Sequence, residues 1–369
     1  MSALGSMLST PTGEVGAPGD WRPSGRVREY WIVAESYPTD LAPDRVNSLN
    51  GEPITLKTAY VGLRYRACSA NWERPLPGSA ALGTNDGVPG AIIRGEVGDL
   101  ILIHFKNADT HYGQPHSMHP HGVFYDLDSD GSWVAVRPGL KGASVPVGGT
   151  YTYRWQCRKS SVGTWVYHDH SVLFGVTPQR VISAATHKMS ETNELNARAG
   201  VTAGARQDRE LISETAIPNG LANSIGLIGF VVVTERGAVR PTREFFVAMH
   251  ELHRFDLPDL WDAPDKPPET NEQIYALNGR SYASNTPVFR ARVGDHVRWH
   301  VTVIGTPFRG FRIDGRRWWD GYRFSDRAFF NSSQTVVIDY VEQRPGEWIY
   351  GDHIWGHYHQ AAGRYIVSA

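Results

Sequence analysis

Residues 94–107 read RGEVGDLILIHFKN, and residues 290–303 read RARVGDHVRWHVTV. Both place a Val-Gly-Asp turn before a run rich in β-branched and aromatic residues, the pattern of a strand entered from a tight loop. A second pair lies downstream of each. Residues 163–170 read GTWVYHDH and residues 346–353 read GEWIYGDH. Gly163 and Gly346 each precede a strand that ends in a polar, His-containing loop. Two segments built on one plan imply an internally duplicated β-sandwich, and so an all-β chain.

Working outward, further strand-like runs fall at Val27–Ala34, Lys57–Arg66 and Thr150–Cys157 in the first half. In the second they fall at Glu244–Met249 and Gln334–Val341. The predicted organisation is a flexible tail over 1–26, a first domain over 27–235 and a second over 236–369. Within the first domain, about 176–222 breaks the pattern. It contains TPQRVISAATHKMSETNELNARAG and ARQDRELISETAIPNG, rich in Ala, Glu, Arg and Leu, and reads as a partly helical insertion. Its Thr177 or Pro178 can start a helix and Gly200 can end one.

Composition narrows the function. Of 369 residues, 37 are Lys or Arg and 38 are Asp or Glu, a balance that argues against a nucleic-acid partner or an electrostatic membrane anchor. No apolar run approaches the roughly 20 residues of a membrane span. The start of the chain has no basic segment followed by an apolar one, so a cytoplasmic location is expected, although a chain trimmed of its leader would read the same. Cys68 and Cys157 are the only cysteines. A disulfide framework and a Cys-rich zinc site are therefore excluded, while a single bridge stays open.

The 15 histidines are clustered. His116, His119 and His121 lie in HSMHPHG, His168 and His170 in WVYHDHS, and His353, His357 and His359 in GDHIWGHYH. An H-x-H on a strand puts both imidazoles on one face, and two such pairs facing each other can surround a metal that favours nitrogen. His250 and His253 in MHELH point to opposite faces of a strand and read as core or loop histidines. His187 and Met189 read as helix surface.

At MHPHG and WVYHDHS the chain resembles the multicopper oxidases, especially the two-domain laccase and ceruloplasmin-like kind. YDLDSDGS, VPVGGTYTYRW and LNGRSY support the likeness, which covers nearly all of 27–369 apart from the insertion. It implies two cupredoxin-like Greek-key sandwiches, copper as cofactor, and sites closed between subunits of a homotrimer. The first two copper motifs stand as His119-Pro-His121 and His168-Asp-His170. The third, normally H-x-x-H-x-H-G, reads Arg309-Gly-Phe-Arg312-Ile-Asp314-Gly315, and the fourth keeps His353 and His357 but has Asp352 at the cysteine position and Ala362 at the axial one. Asp169 holds the corresponding place in the first half.

A blue copper needs a Cys thiolate with two His, so the resemblance implies an edited enzyme. Of the trinuclear ligands, His119, His121, His168, His170 and His353 remain, and one copper position keeps a full set in His121, His168 and His353. The reading is a copper oxidoreductase acting on a small molecule, with dioxygen as co-substrate, at a mononuclear three-His site. Arg309 and Arg312 are candidates to grip an anionic substrate, and Asp314 or Asp352 to accept a proton. An Arg312–Asp314 pair that merely fills the space of lost imidazoles is the competing reading. A zinc-type hydrolase or lyase on the same three histidines, and a non-catalytic copper-binding protein, are the alternatives.

Overall fold

The computed structural model describes residues 21–83, 87–134, 139–171, 220–253, 273–305, 308–354 and 357–369. The first half contains strands β1 (Val27–Asp40), β2 (Val46–Asn47), β3 (Glu52–Pro53), β4 (Ala59–Cys68), β5 (Ile92–Glu96), β6 (Leu100–Ala108), β7 (His119–Pro120), β8 (Thr150–Gln156), β9 (Gly163–His168) and β10 (Ile228–Thr234). The second contains β11 (Arg243–His253), β12 (Gln273–Leu277), β13 (Phe289–Arg292), β14 (His296–Val303), β15 (Arg309–Ile313), β16 (Trp318–Trp319), β17 (Phe324–Ser325), β18 (Arg327–Phe330), β19 (Thr335–Val341), β20 (Gly346–Asp352) and β21 (Ala362–Ser368). Residues 1–20 of the expected tail, and the expected insertion apart from the short helix α1 (Gly220–Ser224) that ends it, lie outside the described residues. His187 and Met189 lie there too.

The first sandwich packs a β4-β1-β6-β8 sheet on a β5-β10-β9-β7 sheet. The second packs β12-β11-β14-β19 on β13-β21-β20-β15-β18. The pairings repeat in sense as well as order. β1 runs parallel to β6 and antiparallel to β4, as β11 does to β14 and β12. β10 runs parallel to β5 and antiparallel to β9, as β21 does to β13 and β20. The all-β, duplicated fold read from the sequence is the fold observed.

Side-chain alternation explains why these runs are strands. Along β6, Ile101, Ile103 and Phe105 are fully buried while Leu102, His104 and Lys106 are partly exposed, the period of two that a half-buried sheet demands. They join Tyr65, Tyr153, Trp155 and Tyr167 in the first core; Phe245, Phe289, Trp299, Tyr350 and Tyr365 build the second. A third apolar cluster lies where the sandwiches meet, with Phe230 of β10 edge-on to Phe246 of β11 at 5.1 Å. Burying each such phenylalanine is worth about 1.5–3 kcal/mol. Polar contacts cross the same boundary. Arg94 is bidentate to Glu244, and Thr164 Oγ1 lies 2.7 Å from His300 Nδ1. The two sandwiches are therefore docked through both apolar and charged contacts, and this fixes what faces the end of β9.

Cys68 and Cys157 are both buried and free, so the single bridge left open by the sequence is absent. No described helix is long and apolar enough to cross a membrane.

Candidate metal centre

The site forms where β7 pairs with the end of β9, a register that sets His119 directly opposite His168. Directly opposed residues on an antiparallel pair bring their Cβ atoms to about 5 Å. The H-x-H spacing then adds His121 and His170 to the same region. Ring centroids lie 5.0 Å apart for His119 and His121, 5.4 Å for His119 and His168, and 5.3 Å for His119 and His170. One nitrogen each from His119, His121 and His168 falls within 4.8 Å of the others.

The hydrogen bonds behind the rings decide which nitrogens face inward. His168 Nδ1 lies 2.9 Å from the Asp169 carbonyl, so its proton sits there and Nε2 carries a lone pair. That Nε2 is 3.2 Å from His121 Nε2. His119 Nδ1 is held by the Asp130 carbonyl at 2.7 Å and Ser132 Oγ at 2.8 Å, leaving its Nε2 for a ligand. Burial, reinforced by the neighbouring His119 and His170, lowers His121 to about 4. Burial and the other three imidazoles hold His168 well below its usual range. Both rings are therefore neutral at pH 7, and two ring nitrogens meet with at most one proton between them. A metal at the usual 2.0–2.1 Å from each nitrogen spans a tetrahedral N···N edge of about 3.3 Å, so the observed separation fits one.

A cavity of about 620 Å³ opens beside His119 and His121. Its walls include Tyr125 and Trp165 from the first sandwich and Phe329, Phe330 and Gln334 from the second. Gly122 makes the close approach possible. Its φ is +70°, and a Cβ there would fall inside the indole of Trp165.

The duplication puts a second, edited copy of this arrangement in the other sandwich. His119 opposes His168, and by the same register Arg312 opposes Gly351. Hence Arg312 and Asp314 stand where His119 and His121 stand, Asp352 matches Asp169, His353 matches His170, and Arg309 matches His116. The Asp169/Asp352 and His116/Arg309 pairs form matching buried ion clusters. His116 bridges Asp109 and Asp169, at 3.2 Å and 3.4 Å, through its two ring nitrogens. Burial alone would lower its pKa, but Asp169 and Asp109 together raise it to about 9. In the second sandwich Arg309, 1% exposed, pairs with Glu251 and, at 3.0 Å, with Asp352. His357 Nδ1 lies 2.9 Å from the same Asp352 oxygen. Tyr275 stacks on His357 at 3.7 Å and lies under the Arg309 guanidinium.

These contacts correct several expectations. Arg309 and Asp352 were expected beside a substrate; both are buried and spent on each other and on Glu251. Arg312 lies 3.4 Å from Asp314, which is the space-filling pair, and its Nη1 is 3.4 Å from His353 Nε2. Within one chain the nitrogens that come together are those of His119, His121 and His168, while His353 follows β20 on the other sandwich; the expected set of His121, His168 and His353 is one closed between subunits. His250, by contrast, is the core histidine expected, bonded to the Ser224 carbonyl and the Gly279 amide. Sequence reasoning passed over His116 and the Asp109 that holds it. The signal was present, since His116-x-x-His119-x-His121-Gly122 has the spacing of Arg309-x-x-Arg312-x-Asp314-Gly315.

Comparison with known proteins agrees with this architecture. A family profile described as "Multicopper oxidase" matches residues 69–185. The chain is 27% identical to "Ferroxidase HEPHL1" of Homo sapiens, over 88% of this chain and 27% of that protein. It is 24% identical to "Hephaestin" of Rattus norvegicus, over 88% and 28%. The chain thus spans about a quarter of the length of these relatives. Among solved structures, one titled "Crystal structure of multicopper oxidase" superposes with a TM-score of 0.58 at 18% identity, covering 93% of this chain and 89% of that one. A copper nitrite reductase from Nitrosomonas europaea superposes with 0.54 at 14% identity, covering 93% and 94%. With the duplicated sandwich and the paired H-x-H strand ends, these matches make the chain similar to the multicopper oxidases, most directly over residues 69–185, and copper is the cofactor that this likeness implies.

Proposed function

We propose that the protein is a copper-dependent oxidoreductase that oxidises a small molecule, with dioxygen as acceptor, at a mononuclear centre held by His119, His121 and His168. The observation that carries this reading is the approach of two neutral Nε2 atoms to 3.2 Å, which a shared cation satisfies. Copper at that point supplies one-electron exchange. The chain's own residues do the rest. Asp130 and Ser132 fix the His119 tautomer, and the Asp169 carbonyl fixes that of His168. Trp165, Phe329 and Phe330 give the cavity an apolar wall. His170, next to the cluster, is the group placed to accept a substrate proton.

The reading dispenses with a blue copper. Asp169 and Asp352 hold the position that a thiolate would need, and each is already neutralised by a buried cation, His116 or Arg309. Electrons therefore enter from a substrate bound against the histidine cavity itself. No carboxylate is among that cavity's lining residues, which favours an organic substrate over a metal cation. His353 is assigned to completing the centre from a second copy, in a homotrimer. Its Nδ1 has no hydrogen-bond partner among the described residues. Electron paramagnetic resonance of copper-loaded His353→Ala tests this part: loss of one nitrogen coupling relative to the parent supports His353 as an added ligand, and an unchanged spectrum contradicts it. The centre itself is tested by copper titration of His121→Ala and His168→Ala, each of which should lose tight binding.

A further inference from the structure

The described residues contain five large aromatic side chains that are strongly exposed, and all five lie between 308 and 329. They are Phe308, Trp319, Tyr322, Phe324 and Phe329, exposed by 52–87%. Apolar surface gathered in one stretch marks a binding face rather than the ordinary scatter of exposed apolar groups. The same stretch is rich in arginine. Around Phe324 and Phe329 the β16–β17 hairpin and the start of β18 enclose a second cavity of about 440 Å³, lined by Arg317, Arg323 and Arg327 with Asp326 as the one lining carboxylate.

The three guanidinium groups are only lightly engaged. Arg317 donates Nη2 to the Phe324 carbonyl at 3.3 Å, Arg323 Nε is 3.9 Å from Asp320, and Arg327 pairs with its neighbour Asp326 at 3.3 Å. Arg309 and Arg316, by contrast, are committed to Glu251, Asp352 and Glu342. The cavity lining therefore carries net positive charge. Phe329 lines this cavity and the histidine cavity alike, so it is the wall the two share.

We propose that the Arg317–Arg323–Arg327 cavity binds the carboxylate of an aromatic organic anion, whose ring lies along Phe324 and Phe329 toward His119 and His121. Guanidinium forks suit a planar carboxylate, and phenyl faces suit a planar ring. The proposal rests on the reading of the histidine cavity as the oxidising site, and it replaces Arg309 and Arg312 as the residues that hold an anion.

Calorimetric titration of metal-free full-length protein separates the two readings, because it needs no copper. The probes are 4-hydroxybenzoate, its neutral methyl ester, and acetate. The acid should bind about tenfold or more tighter than the ester, the worth of one charge-assisted contact. In an Arg317→Ala/Arg327→Ala variant that advantage should vanish while ester binding is kept. Phe329→Ala should weaken the acid but leave acetate unchanged. Equal affinity for acid and ester, or acid binding that survives the double arginine variant, overturns the proposal. If the pattern appears and the protein takes up no copper, the anion cavity stands and the oxidase reading falls.

Discussion

Replacing Arg309 with Met tests the idea that a guanidinium has taken over a vacated metal position. The side chain is 1% exposed and is the cation for two carboxylates that are themselves 1% exposed, Glu251 and Asp352. Methionine keeps much of the volume and removes the charge, leaving two buried anions without the cation they share. Breaking a buried ion pair by deleting one partner costs about 3–5 kcal/mol, since the remaining charge stays desolvated. At about 3 °C per kcal/mol for a unit of this size, the second sandwich should melt about 9–15 °C lower. Differential scanning calorimetry of the purified variant reads this directly. A triple variant, Arg309→Met/Glu251→Gln/Asp352→Asn, removes the charges together and should recover most of the loss. Copper uptake at His119, His121 and His168 should be unchanged in both. A loss below about 1 kcal/mol for Arg309→Met alone would refute the argument, because a buried cation that can be deleted so cheaply is not holding those carboxylates.

In the first sandwich, His116 should make stability fall at alkaline pH. Its folded pKa, raised to about 9, lies above the unfolded value near 6.5, so its contribution is full below 6.5 and lost as pH rises through 9. The loss is up to about 3 kcal/mol at 1.36 kcal/mol per unit, and a His116→Gln variant should show a flat profile over that window in urea titrations. Gly122→Ala should drive Trp165 out of the cavity wall and, with a positive φ as well, cost about 2 kcal/mol or more, measured by thermal melting and by the intrinsic fluorescence of that tryptophan. His357→Ala should leave copper content intact, because that ring is bound to Asp352 and stacked on Tyr275 rather than aimed at the cluster.

Much of this molecule can be read before its structure. The repeated Val-Gly-Asp turns and the Gly-Thr-Trp and Gly-Glu-Trp strand starts are local signals, and local signals carry a sheet whose strands are regular. The H-x-H pairs are legible for the same reason, since a period of two fixes their face. What the sequence hides is which ring meets which. That depends on the β7–β9 register, which sets His119 against His168, and on the docking of the sandwiches, which brings Phe329 and Gln334 to the first sandwich's histidines. The fate of Arg309 is hidden likewise. Its partner Glu251 is 58 residues away on the opposite sheet, and nothing in the local text pairs them. Read locally, an arginine in a histidine's place looks like a substrate ligand; packed, it is a buried counter-ion.

The measurement that bears most directly on the central claim is the copper content per chain of the purified protein, taken with its electron paramagnetic resonance and visible spectra. One copper per chain, a normal type 2 resonance and no intense blue absorption are the predicted result, with the metal lost in His121→Ala and His168→Ala. Three or four coppers per chain, a blue copper–thiolate band, or zinc in place of copper in protein purified without added metal would contradict it.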